Sequence, residues 1–384
     1  DIRIGYFRSR KVDRPLHFYN QATGAGEQTT GSWIGYLDVE NYVRAFRADY
    51  CYGFVIGRAR AYTRSPNAVE DTAGQNGILI QGCSFFEIGD IDCEGAPEHV
   101  LRVGGSPHAN CISIGFTIGH IKARNSGGCP LKINPTRLAS VGVTEKASGW
   151  SVAGITGYDC GNNANEGNQE LVRLSHARNG YIGYAFAYIE DATQSAQYVI
   201  QANDCDDIEI GEVGGNAINS GFVIFDGTSD VDGVSYFGGD ITDFRIGRLT
   251  GSCAGSNAIG VAMGSFNLSN VCIADMDITG FTTNLMLWVS GTLTGPFLVA
   301  GRVNGAVAPA VAGAPASDLL QVDVLYNNTR SVGRGGSVRG GAALEVVVPA
   351  FNTGSAGPNG IMLNSSTSTA GSGNYGSAIE WSRL

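Results

Sequence analysis

Asp90, Asp92 and Glu94 take alternate positions in the stretch Phe86-Glu87-Ile88-Gly89-Asp90-Ile91-Asp92-Cys93-Glu94. On an extended chain their carboxylates project to one side, and Ile88, Ile91 and Cys93 to the other. Glycoside hydrolysis uses one protonated and one ionised carboxylate, about 5–5.5 Å apart in retaining enzymes and about 6.5–9.5 Å apart in inverting ones. Asp92 and Glu94, two residues apart on one strand, fall in that range, as would carboxylates one step apart on parallel neighbours. Basic and aromatic residues flank them: Arg58, Arg60 and Tyr62 before, His120, Lys122 and Arg124 after, then Tyr158, Tyr184, Phe186 and Tyr188. Cations of this kind hold hydroxyls or uronate groups, and Tyr or Phe rings stack on pyranose faces. Read as a lyase site instead, His120, Lys122, Arg124 and Tyr158 would supply the base and the cation that neutralises a uronate. An ion-pair ladder that keeps a solvated face in register accounts for the same charges without any chemistry.

These residues are brought together by a repeat. Ile-Gly recurs at Ile4-Gly5, Ile34-Gly35, Ile56-Gly57, Ile88-Gly89, Ile118-Gly119, Ile182-Gly183, Ile210-Gly211 and Ile246-Gly247, with Val152-Ala153 and Ile273-Ala274 where further copies are due; the steps run from 22 to 36 residues. Each copy lies in a strand-like pattern and follows a second apolar strand, such as Val100-Leu101-Arg102-Val103 or Pro130-Leu131-Lys132-Ile133. Strand, turn, strand and loop, repeated with no amphipathic helix between, predict an all-β fold: a right-handed, single-stranded parallel β-helix of about ten rungs. The glycine suits a bend or a close backbone approach. With the dipeptides in register, outward residues form columns. One holds Tyr6, Tyr36, Arg58, Asp90, His120 and Tyr184; the next Arg8, Asp38, Arg60, Asp92, Lys122, Thr156 and Phe186; the third Arg10, Glu40, Tyr62, Glu94, Arg124, Tyr158 and Tyr188. Arg102, Lys132 and Arg173 form a basic column on the companion strand, beside Asp159, Glu166, Glu170 and His176. The catalytic candidates are thus Asp92, Glu94, Asp159, Glu166 and Glu170. The substrate-binding candidates are Arg60, Tyr62, His120, Lys122, Arg124, Tyr158, Arg173, His176, Tyr184 and Tyr188.

Composition narrows the functional class. A net charge of −10 argues against nucleic acid and anionic membrane surfaces, and no apolar run reaches the ~18 residues of a membrane span. The nine cysteines contain no C-x-x-C pair and the five histidines do not cluster, so buried reduced thiols are expected and no metal or cofactor. No Walker, Rossmann, G-x-S-x-G or H-E-x-x-H signature occurs. Long loops fall at Lys11–Ser32, Thr63–Gly77, Asn134–Trp150, Cys160–Gln169 and Asp226–Asp243. The expected organisation is a β-helix over 1–290, an Ala/Pro/Gly-rich crossing or linker over 291–317, and a β-rich C-terminal module over 318–384. Asp1-Ile2-Arg3-Ile4-Gly5 opens in mid-repeat, so a natural N-terminal part is expected to precede it.

The repeated [FI]-x-I-G-x-[I/L/A] rungs, the outward ladder of charged and aromatic residues, the unpaired cysteines and the Gly/Ser-rich tail resemble bacteriophage tailspike depolymerases. The resemblance is architectural and carries no catalytic motif over residue by residue. It implies a homotrimer made in the bacterial cytoplasm and carried on the virion, joined to the phage tail or baseplate through the N-terminal part. It also implies endo-cleavage of a bacterial surface polysaccharide (O-antigen, capsule or exopolysaccharide) by hydrolysis or by uronate lysis, and a trimerising or sugar-binding C-terminal module. Two alternatives stand beside it. One is a secreted pectate-lyase-like enzyme or epimerase, with Asp204, Asp206 and Asp207 as nearest calcium ligands. The other is a fibre or adhesin that holds glycan without cutting it.

Overall fold

The computed structural model describes residues 2–19, 31–63, 75–104, 113–134, 146–161, 170–191, 198–218, 220–231, 234–237, 239–262, 264–305, 309–313, 318–327, 329–334 and 345–347. Among these the chain is all-β, without a helix. The motif strands stack in parallel, and their apolar residues pair in one unbroken series: Ile4, Ile34, Ile56, Ile88, Ile118, Val152, Ile182, Ile210, Ile246 and Ile273. The companion strands stack alongside, from His17–Tyr19 through Phe46–Asp49, Ile78–Gln81, Leu101–Gly104 and Leu131–Asn134 into the first part of Val172–Tyr188. The result is a parallel β-helix.

The dipeptide has a packing explanation. In Glu87–Glu94 the alternation of buried and open residues breaks at Gly89-Asp90, two open positions in a row. There the carbonyl of one rung faces the motif glycine of the next. A Cβ on Gly57 would lie 2.7 Å from the oxygen of Gly35, one on Gly247 2.6 Å from that of Gly211, and one on Gly89 would collide with that of Gly57. Inside the coil, two residues before each motif, Phe54, Phe86, Phe116 and Trp150 stack with centroids 5.1, 4.8 and 6.1 Å apart. The series ends at Gly180, whose missing side chain makes room for the Trp150 indole. The cysteines of the described residues are free, and all but the half-buried Cys272 are buried.

Parallel stacking extends past residue 290. Phe297–Asn304, inside the segment expected to be a crossing or linker, pairs with Asn267–Ile273 and Met276–Thr279, and Leu320–Tyr326 pairs on it in turn. The motif persists there in altered form, Val299-Ala300 standing over Ile273-Ala274. The pattern turns antiparallel at Thr329–Arg334 and Glu345–Val347. The Gly/Ser-rich tail from 348 on lies outside the described residues. A hairpin, Thr228–Val231 with Val234–Phe237, occupies part of the Asp226–Asp243 loop.

Candidate functional site

The expected columns are those of the register. Arg60 pairs with Asp92, Asp92 with Lys122, and Lys122 with Thr156, which meets Phe186; Tyr62, Glu94, Arg124, Tyr158 and Tyr188 follow one another likewise. In the Val152 rung the first-column position falls to Gly154, opposite His120.

The early rungs of this face are knitted together. Asp38, nearly buried, lies 3.4 Å from Arg8 Nε and 3.2 Å from Arg60 Nη1, and accepts a hydrogen bond from the Tyr6 hydroxyl at 3.1 Å. Glu40 lies 3.2 Å from Arg10, 3.6 Å from Arg8 and 3.7 Å from Arg60. The acid rung differs. Asp90 lies 3.2 Å from the His120 ring and accepts the His120 backbone N–H at 3.1 Å. Those hydrogen bonds hold its carboxyl below the usual range. Asp92 and Glu94 are half-exposed, and among the described residues neither has an ion pair or hydrogen bond from its side chain. The arginines of the same two columns are engaged elsewhere: Arg60 turns back to Asp38 and Glu40, and Arg124 reaches forward to Glu190 at 2.7 Å. Lys122, between Asp92 and Thr156, is exposed and likewise without an ion pair among the described residues.

Next to the acids lies a continuous aromatic surface. The Arg124 guanidinium sits over the Tyr158 ring at 4.7 Å. Tyr158 stacks on Tyr188 at 5.2 Å, Tyr188 on Phe186 at 6.3 Å, and Phe186 adjoins Tyr184 at 5.6 Å. Tyr184 meets His120 at 6.0 Å although a rung lies between them. Gly154 makes that contact possible, since any side chain there would run into the Tyr184 ring. Phe186 belongs to this surface but was not among the sequence candidates; its place in the column between Thr156 and Gly214 was the available signal.

Of the remaining candidates Asp159 adjoins this surface, and Glu170, Arg173 and His176 sit apart from it. Asp159 is buried, with a left-handed backbone (φ 50°), and its Oδ1 accepts the backbone N–H groups of Glu190 at 2.7 Å and Asp191 at 3.0 Å. It secures a turn, one of its oxygens carrying two amides. Glu166 lies outside the described residues. Glu170 is buried beside Cys129, whose thiol is 3.8 Å from Glu170 Oε2, and burial raises its pKa although Arg173 and Lys132 oppose this. Arg173, also buried, belongs to the companion strand, paired with Lys132. His176 occupies a corner, its Nδ1 2.5 Å from Asp204, which Lys146 also approaches at 3.0 Å. Burial works against the Asp204 charge, but hydrogen bonding to His176 and the Lys146 charge lower its pKa overall. Glu170, Arg173 and His176 thus do not join the Asp92 site. Asp206 accepts a hydrogen bond from the Thr242 hydroxyl, and no group of three metal-ligating side chains occurs among the described residues.

In comparisons with protein-family models, curated proteins and solved structures, nothing matches this chain.

Proposed function

We propose that this chain is a tailspike-type depolymerase that binds a bacterial surface polysaccharide along the outer face of its middle rungs and hydrolyses it with Asp92 and Glu94. One observation carries the reading: a run of adjoining rings, from the exposed His120 through the half-exposed Tyr184, Phe186 and Tyr188 to Tyr158, lies beside two carboxylates that form no ion pair among the described residues. Three of these rings follow one another along a single strand and Tyr158 lies on the rung beside it, an apolar platform that suits the faces of a sugar chain. Carboxylates left without a counter-ion remain available for proton transfer. Residues two apart on a strand are separated by roughly 6.6 Å at Cα, which favours the inverting arrangement, with one acid on the glycosidic oxygen and one base on a water. Lys122 and Arg124 border the acids and would hold hydroxyls or acidic substituents. Assembly into a trimer and attachment to a phage tail complete the reading and rest on the architectural resemblance alone.

The test is to incubate the chain with lipopolysaccharide and capsule from candidate hosts, following reducing ends and absorbance near 235 nm. New reducing ends without absorbance are expected. Absorbance with them would indicate lysis, and retained binding with neither would reduce the chain to a glycan-holding fibre for that substrate.

A further inference from the structure

On the companion strands, one rung apart at roughly 4.8 Å, Arg102, Lys132 and Arg173 stack in register. Each is flanked by inward apolar residues (Leu101 and Val103, Leu131 and Ile133, Val172 and Leu174), so the three cations share the outer side of one sheet. They are nonetheless largely covered: Lys132 is 5% exposed, Arg173 6%, and the Arg102 side chain 16%. Three like charges in a row away from water repel one another and lose hydration, a cost that proteins normally offset with partners. Among the described residues the offset is incomplete. Glu98 approaches Arg102 Nη1 at 3.7 Å and also lies 3.3 Å from His99. Among the described residues Arg102 Nε is buried without a hydrogen-bond partner, and Lys132 has no ion pair or side-chain hydrogen bond. Glu170, a second acid near the column, lies against Cys129. Burial raises its pKa, against the pull of the Arg173 charge. The Lys132 ammonium is depressed to about 8, burial first and the two arginines next.

We propose that Arg102, Lys132 and Arg173 form a binding site for one oxyanion, a carboxylate or phosphate group, which completes the hydrogen bonding of Lys132 Nζ and Arg102 Nε. A single anion spanning neighbouring rungs relieves the repulsion between the cations and satisfies the orphaned donors together. The free phosphate ion and the carboxylate of an acidic sugar share this chemistry. The site stands on a different strand from Asp92 and Glu94 and does not depend on the saccharide-cleavage reading.

The whole chain is titrated with inorganic phosphate, with glucuronate and with neutral glucose, each against sodium chloride of equal ionic strength, by calorimetry and thermal unfolding. Phosphate or glucuronate is expected to raise Tm by roughly 2–4 °C near saturation, and glucose to do nothing. Lys132→Met and Arg102→Gln are each expected to weaken binding by about tenfold or more. Preference for glucuronate identifies the site as one for acidic sugar units; preference for phosphate assigns it to the free ion or a phosphate substituent. The proposal is overturned if neither anion exceeds chloride, or if binding is undiminished in either folded variant.

Discussion

The rungs at Trp33–Glu40 and Val55–Tyr62 carry acids and bases in the same columns as those at Glu87–Glu94 and Thr117–Arg124, yet the two pairs of rungs use them differently. In the first pair Asp38 and Glu40 collect Arg8, Arg10 and Arg60 into a partly buried network. In the second, Asp92 and Glu94 stand in register between Arg60 and Arg124 and form an ion pair with neither. Alignment in a column decides which residues are neighbours, but competition decides which of them pair. Arg60 has two acids on one side and two on the other, and the more buried Asp38 holds it, since ion pairs strengthen as solvent is excluded. Arg124 gains both a carboxylate and a ring by turning the other way, toward Glu190 and Tyr158. The acid rung is left with charge unspent.

The largest effect that would sharpen this contrast is on turnover. Asp92→Asn and Glu94→Gln should each lower cleavage by about 10²–10⁴-fold with Tm changed by about 1 °C or less. Asp38→Asn should do the reverse, costing about 1–3 kcal/mol in urea unfolding with activity per folded molecule retained. Equal behaviour of Asp38 and Asp92 would erase the distinction. Next, Gly89→Ala drives a methyl against the Gly57 carbonyl and should cost about 1–3 kcal/mol, whereas Ala153→Gly should cost about 1 kcal/mol or less; urea midpoints measure both.

The buried companion cluster offers a pH test against the solvated acid rung. Burial, assisted by the Lys132 charge, depresses His99 to about 4, and Glu98 titrates at about 2 because His99 and the nearby cations outweigh the opposing effect of burial. Unfolded, these groups bind protons below about 6.5 and about 4.3. In both windows the unfolded chain therefore holds more protons, and stability falls as pH drops, first from about 6.5 to 4 and then from about 4.3 to 2. His99→Gln should flatten the first of these slopes in a series of urea midpoints, and Asp92→Asn should leave it unchanged. The smallest effect is on affinity: Tyr188→Ala should raise KM about 3–10-fold through lost stacking, while Tyr36→Ala, in the ion-paired region, should not.

The fold was legible because Ile-Gly marks one position per turn of the coil, and a marker at that spacing fixes which residues become neighbours. It failed after Ile273-Ala274 because packing needs an apolar residue followed by a small one rather than those two letters, and Val299-Ala300 meets the need unseen. The columns of the candidate site were legible for the same reason. Their pairing was not: nothing in the order of residues says that Arg60 turns back, or that Gly154 lets Tyr184 lean across to His120. Burial on the companion strand was hidden too, since Lys132 alternates with apolar neighbours as a solvated lysine would.

The contact of each motif glycine with the carbonyl of the rung before it has a consequence for how such a chain can change length. The fit recurs at successive motif glycines, so the stretch from Gly57 to Gly89 carries at one end the socket that its other end fills. A duplication or loss of one such stretch in the gene leaves a chain that still closes on itself. Insertions elsewhere in the turn leave the fit untouched. The rod can thus be lengthened, shortened or re-decorated by whole modules, and its working face can evolve in extent without its architecture being reinvented.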